Sequence, residues 1–247
     1  MNIDTAKKRW RKIKKLLKRL PFAFTKNQRY DLQTKKIIRR ICNKESNCID
    51  VGTHEGEMLD VFLKQSPKGF HLGFEPIPGL YKYLIKKYSS FQNVRIYDLA
   101  LSNAEGSSEF NYVISNPAYS GIKKRVYDNK NETDTQIIVK KQLLDNIIPV
   151  DVRITLMKID VEGGELDVLE GSIKTLAKYK PAILFEFGIG GSDIYSANPE
   201  KLFNFLTQFN YNIFVLEDFL KKRQPLTLQE FTNQFYGKIN YYFLALN

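Results

Sequence analysis

Three ionisable residues, Lys158, Asp160 and Glu162, alternate along an otherwise apolar stretch at residues 154–161. Residues of one parity share a face of a strand, so the three side chains are expected side by side. Buried charges are costly unless compensated, so these must pair with one another, bond backbone groups or meet a ligand. One reading is a Lys158–carboxylate pair that only orients the strand end. The other puts Asp160 or Glu162 in chemistry, where a carboxylate takes a proton from a reacting hydroxyl. Glu186 closes a further apolar strand over 181–187, and oxygen ligands of this kind suit a divalent cation. Residue order does not establish such a centre, and no metal is assigned.

A second group of residues is built for binding. Asp50-Val51-Gly52-Thr53-His54-Glu55-Gly56 follows the β-branched Ile49 and precedes Met58, Val61, Phe62 and Gln65 at helical spacing. The unit is strand, glycine-bounded loop, helix, and in open α/β sheets ligands bind at that junction. Gly52 permits close backbone approach to a ligand, and Gly56 lets the helix start near the strand. The next strand, over 70–74, ends in Glu75-Pro76, 23 positions after Gly52. A carboxylate there offers two acceptor oxygens to the two hydroxyls of a ribose. The loop is not GxGxxG, and no GxxxxGK[ST] occurs, so phosphate cradling is not supported.

Taken together, Asp50 to Gly56, Phe74-Glu75-Pro76, Ala100-Leu101-Ser102 and Lys158-Ile159-Asp160-Val161-Glu162-Gly163-Gly164-Glu165-Leu166 resemble the FkbM-type S-adenosylmethionine-dependent methyltransferases. The resemblance runs from about residue 47 to about residue 187. It implies an α/β class I methyltransferase (Rossmann-like) fold: a seven-stranded, mostly parallel sheet with helices on both faces. It also implies S-adenosyl-L-methionine as cofactor and, usually, O-methylation of a sugar or similar hydroxyl. Thr53 and His54 stand where Ala and Asn are typical of the family. On this reading Asp50, Gly52, Thr53, His54, Gly56 and Glu75 bind the cofactor. Asp98 and Leu99, after a strand over 94–97, fall where the adenine ring would lie. Asp160 and Glu162, with Lys158, fall beside the transferring methyl, and His54 is a second candidate base.

The elements that position these residues fit one α/β body of 247 residues. The net charge of +11 is uneven: residues 1–20 hold nine Lys/Arg and one acid, which leaves +3 for the rest. On a helical wheel Ile3, Trp10, Ile13, Leu17 and Leu20 form an apolar stripe opposite Lys and Arg, and Pro21 ends it. A basic amphipathic helix with connector is therefore expected over 1–30, with the methyltransferase domain over 31–247. Its stripe suits peripheral contact with an anionic membrane, or docking on protein. Helices are expected from residue 31 to about 42 and, unbroken, through Leu166, Val168, Leu169 and Ile173. A polar loop over 115–135 is the expected lid, with Tyr119 and Ser120 as contacts.

Two cysteines give no disulfide framework, and no apolar run is long enough to span a membrane. The expectation is a cytoplasmic enzyme, peripheral at most to the inner face of the membrane, with a hydroxylated small molecule or glycan as acceptor. An RNA methyltransferase ranks lower, because no aromatic-interleaved basic platform occurs and the body is nearly neutral; nucleic acid is not expected as a partner. A non-catalytic binding module would not need Asp50, Gly52, Glu75 and Asp160 together.

Overall fold

The computed structural model describes residues 25–127, 131–149 and 151–247. The basic helix expected over 1–20 lies outside them. The strands are β1 (Asn47–Val51), β2 (His71–Phe74), β3 (Val94–Tyr97), β4 (Leu99–Leu101), β5 (Gly106–Val113), β6 (Asp134–Gln142), β7 (Ile154–Ile159), β8 (Ala182–Glu186), β9 (Asn212–Val215) and β10 (Tyr242–Leu246). Seven of them form one sheet in the order β3-β2-β1-β7-β8-β10-β9. All neighbours run parallel except β10, which is antiparallel to both β8 and β9. Strand order reverses between β1 and β7, and that switch point opens a crevice at their carboxyl ends.

Helices cover both faces: α1 (Lys26–Ile41), α2 (Glu57–Gln65), α3 (Pro78–Lys87), α4 (Glu165–Glu170), α5 (Ile173–Tyr179), α6 (Pro199–Gln208), α7 (Leu216–Leu220) and α8 (Leu228–Tyr236). Strand parity divides the core. Met157, Ile159, Ile183 and Phe185 face Val168, Leu176, Leu202, Leu206 and Phe231, from α4, α5, α6 and α8. Leu156, Leu184 and Leu244 face Ile37, Ile38, Leu59, Phe62, Leu84 and Leu216, from α1, α2, α3 and α7. Both faces of the central strands are thus apolar, as a covered parallel sheet requires. Each of these fully buried side chains stabilises the fold by about 1.5–3 kcal/mol.

Three elements differ from the sequence expectation. The first helix starts at Lys26, because Thr25 and Gln28 cap it reciprocally. The helix after β7 is broken into α4 and α5 at Gly171, where a Cβ would stand 2.1 Å from the Ser102 carbonyl oxygen. The polar stretch over 115–135 is only partly loop: Pro117–Tyr119 is a 3-10 turn, Asn111 bridges Gly121, and β6 begins at Asp134. Strands β4, β6 and β5 form a second, three-stranded sheet, with Ile77, Ala100, Phe110 and Val139 as its own small core.

Candidate active site

The loop after β1 is held by backbone contacts that only glycine permits. Gly52 has φ 77°, and a Cβ on it would stand 1.9 Å from the Asp160 carbonyl oxygen. The Gly52 N–H donates to the Phe74 carbonyl at 3.1 Å. Thr53 is buried, and its hydroxyl donates to the Asp50 carbonyl at 2.9 Å. His54 takes a left-handed φ of 50°, which aims its N–H at Glu75 Oε2, 2.8 Å away. Glu75 Oε1 accepts from the Ile77 N–H at 2.9 Å. Burial pushes the Glu75 carboxyl up to about 7, against the pull of these two N–H groups. Gly56, also left-handed, caps α2, and a Cβ there would meet the Tyr88 hydroxyl at 2.4 Å.

A cavity partly open to solvent joins this loop to the end of β7. Gly52, His54, Glu75, Leu99, Asp160 and Glu162 all line it, so six of the sequence-derived candidates share one space. Phe74, Ile77, Leu101 and Phe110 add an apolar wall suited to a flat heteroaromatic ring. The other candidates lie outside the lining. Asp98 is exposed, Thr53 and Gly56 brace the loop from behind, and Asp50 and Lys158 are buried beneath it.

The charged residues meet differently from strict strand alternation. Strand β7 ends at Ile159, and Glu162 adopts a left-handed φ of 59°, followed by Gly163 at 116°. Asp160 and Glu162 are therefore brought together by a turn. With Glu186 their carboxylates place oxygens within 4.8 Å of one another. Lys158 ion-pairs with Asp160 at 3.2 Å and Asp50 at 3.5 Å, and donates to the Gly52 carbonyl at 3.2 Å. Burial would depress its ammonium, but Asp160 and Asp50 outweigh that and hold it above the usual lysine range. Burial likewise pushes Asp50 up to about 6, with Lys158 opposing. Lys158 thus ties the ends of β1 and β7 together. Burial, reinforced by Asp160, pushes the Glu162 carboxyl up to about 8, although Arg125 ion-pairs with it. Glu186 rises well above its ordinary range by burial and by Asp160, Glu162 and Glu165. Burial lowers His54.

Several contributors went unassigned from sequence. Fully buried Glu165 accepts from the Val161 and Gly163 N–H groups at 3.2 and 3.0 Å and so fixes the turn that carries Glu162. It stands inside the Lys158–Leu166 segment, so its signal was present. Arg125 and Tyr195 arrive from distant loops, where spacing carries no information. Tyr195 lines the cavity, and its hydroxyl accepts the Lys123 N–H at 2.9 Å. Of the lid contacts, Ser120 lines the cavity, whereas Tyr119 stacks on Tyr127 and under the Arg125 guanidinium.

An S-adenosylmethionine nucleoside fits these residues on two counts. Both Glu75 oxygens carry one N–H bond each and keep a lone pair for a ribose hydroxyl, and the apolar wall accepts a base. The 3-2-1 half-sheet, its switch-point crevice and the antiparallel β10 are those of the class I methyltransferase fold. A family model described as the methyltransferase FkbM domain matches residues 50–213, and the chain belongs to that family. Among solved structures, the FkbM methyltransferase from Methylobacillus flagellatus KT aligns with a TM-score of 0.52 at 15% identity, over 83% of this chain and 44% of that one. The chain therefore spans less than half the length of that relative. A putative rRNA-methylase from Clostridium thermocellum aligns at TM-score 0.47 and 11% identity, over 86% and 91% of the two chains. The precorrin-6y C5,15-methyltransferase from Geobacter metallireducens GS-15 aligns at 0.44 and 13%, over 75% and 73%. No curated protein matches the sequence. Among the described residues, no helix is long and apolar enough to cross a membrane.

Proposed function

We propose that this family member is an S-adenosylmethionine-dependent O-methyltransferase whose acceptor is a hydroxyl of a sugar, glycan or related metabolite. The observation that carries this reading is one cavity lined both by Glu75 and by the strand-end carboxylates Asp160 and Glu162. When bound, S-adenosylmethionine supplies a methyl group on a sulfonium, an electrophile already activated. The protein's part is then to orient the acceptor oxygen and receive its proton. Glu75 takes the ribose hydroxyls, and Leu99 offers an apolar contact to the base. Asp160, held by Lys158, receives the acceptor proton, with Glu162 as its neighbour. Arg125, paired with Glu162, orients that carboxylate toward a polyhydroxylated ligand.

The test is calorimetry of the full chain with S-adenosylhomocysteine, followed by transfer of an isotope-labelled methyl group. Free saccharides, lipid-linked saccharides and RNA are offered separately as acceptors. Label on a saccharide hydroxyl supports the reading. Label on RNA alone, or no heat with the cofactor product, overturns it. Asp160→Asn should keep affinity for S-adenosylhomocysteine while losing turnover, since Lys158 retains Asp50 as a partner. Equal loss of both would reduce Asp160 to a structural pair. Exhaustive chelation should leave turnover unchanged; loss restored by a divalent cation would make Asp160, Glu162 and Glu186 a metal centre.

A further inference from the structure

Away from the cavity, α1 presents a strongly basic surface. Six of its sixteen residues are Lys or Arg, against a single acid, Asp31. Arg29, Gln33, Lys36 and Arg40 recur at helical spacing along the edge of the buried seam formed by Tyr30, Thr34, Ile37 and Ile38. With Glu217, Leu220 and Lys221 of the α7 region they line a groove. Glu217 does not neutralise it, because that carboxylate is paired with Lys221. Lys221 first, and then Arg29 and Arg223, hold the Glu217 carboxyl below its ordinary range, so the local field is positive. Among the described residues, none forms an ion pair with Arg29, Lys36 or Arg40. Arg40 donates one N–H to the Leu220 carbonyl at 2.9 Å, which sets its guanidinium at the groove.

The first turns of the same helix, which carry Arg29, are fastened to the segment that leads into β10. Tyr30 donates its hydroxyl to Asn240 Oδ1 at 2.8 Å and packs edge-on against Tyr241, with ring centroids 4.9 Å apart. Its ring also stacks on Tyr242, which is the register partner of Glu186. The helix that carries the cationic stripe thus begins near the end of β8, where Glu186 stands.

We propose that the Arg29–Lys36–Arg40 groove is a docking surface for an anionic phospholipid membrane. Three observations favour lipid as the occupant. The stripe is straight and runs about 16 Å, which matches a row of headgroups more closely than a single small anion. No aromatic side chain lines the groove, so it offers no stacking platform for nucleic-acid bases. Residues 1–20, which precede α1 in the sequence, carry a net charge of +8, so the basic character of the chain is not confined to the groove. The proposal does not depend on which hydroxyl is methylated.

The experiment is co-sedimentation of the full chain with vesicles of phosphatidylglycerol and phosphatidylcholine, and with phosphatidylcholine alone. The variants are Arg29→Gln/Lys36→Gln/Arg40→Gln and, as a control on the opposite face of the sheet, Lys174→Gln/Lys178→Gln/Lys201→Gln. Wild type should bind the anionic vesicles and be released by high salt. The groove variant should lose about a hundredfold in partitioning, while the control variant retains it. Thermal midpoint and affinity for S-adenosylhomocysteine should be the same in all three. Lys36→Gln alone, whose side chain braces nothing, should give a smaller loss in the same direction and guards against misfolding of the triple variant. Wild-type binding by the groove variant, equal losses in both triple variants, or equal binding to neutral vesicles would each overturn the proposal. So would groove-dependent binding of RNA in the absence of any vesicle binding.

Discussion

Glu75 is both a ligand-facing carboxylate and a brace, because each of its oxygens already accepts a backbone N–H. Replacement by Ala would orphan two backbone donors as well as remove the proposed ribose contact, which mixes folding with binding. Glu75→Gln keeps one acceptor and is the cleaner probe. It should weaken S-adenosylhomocysteine binding by about 1.5–3 kcal/mol, the scale of hydrogen bonds to a charged group, in calorimetry. A carboxyl raised to about 7 by burial also makes binding pH-dependent, since only the ionised form offers both oxygens as acceptors. Affinity should therefore rise as pH increases through about 7 in wild type and stay flat in Glu75→Gln. The residue types of this site were legible because glycine and carboxylate are the groups the task demands. Asp98 was chosen by its place after a strand, and the structure puts it on the exposed side, where a one-residue shift decides the face.

At the level of elements, β1 and β7 supply the site by ending where they do. Their apolar cores made both strands readable, but the end of β7 was not, because Val161 continues the hydrophobic run past the true boundary. What stops the strand is the left-handed pair Glu162 and Gly163, pinned by the buried Glu165. Gly52→Ala should destabilise the protein by about 3 kcal/mol or more in urea titration, since overpacking against the Asp160 carbonyl adds to the left-handed penalty. By contrast, Thr227→Ala removes only the reciprocal cap with Glu230 at the start of α8, far in sequence from the cavity. It should cost about 1 kcal/mol and leave cofactor affinity unchanged. What the sequence did not reveal is the pairing of β4 with β6, because β4 has only three residues to carry a pattern.

The whole molecule carries its buried carboxylates at a cost that depends on pH. Asp50 is raised to about 6, Glu75 and Glu165 to about 7 and Glu162 to about 8, each chiefly by burial. Above their ordinary range the folded chain still holds protons that the unfolded chain has released, so stability falls as pH rises. Burial lowers His54 and His71, which acts in the opposite direction, but only below about pH 6.5 where an unfolded histidine binds a proton. The ligand-free protein should accordingly lose denaturant resistance from about pH 6.5 to about 8 and level off above that, measured as the urea midpoint. Contact between the Gly52 backbone and the Asp160 carbonyl has a further consequence at this scale. A shift at the proposed nucleoside pocket is therefore expected to be felt at the proposed proton-accepting strand end, which would link the occupancy of one to that of the other. By reciprocity, whatever factor an acceptor applies to the dissociation constant of S-adenosylhomocysteine, that product applies equally to the acceptor's.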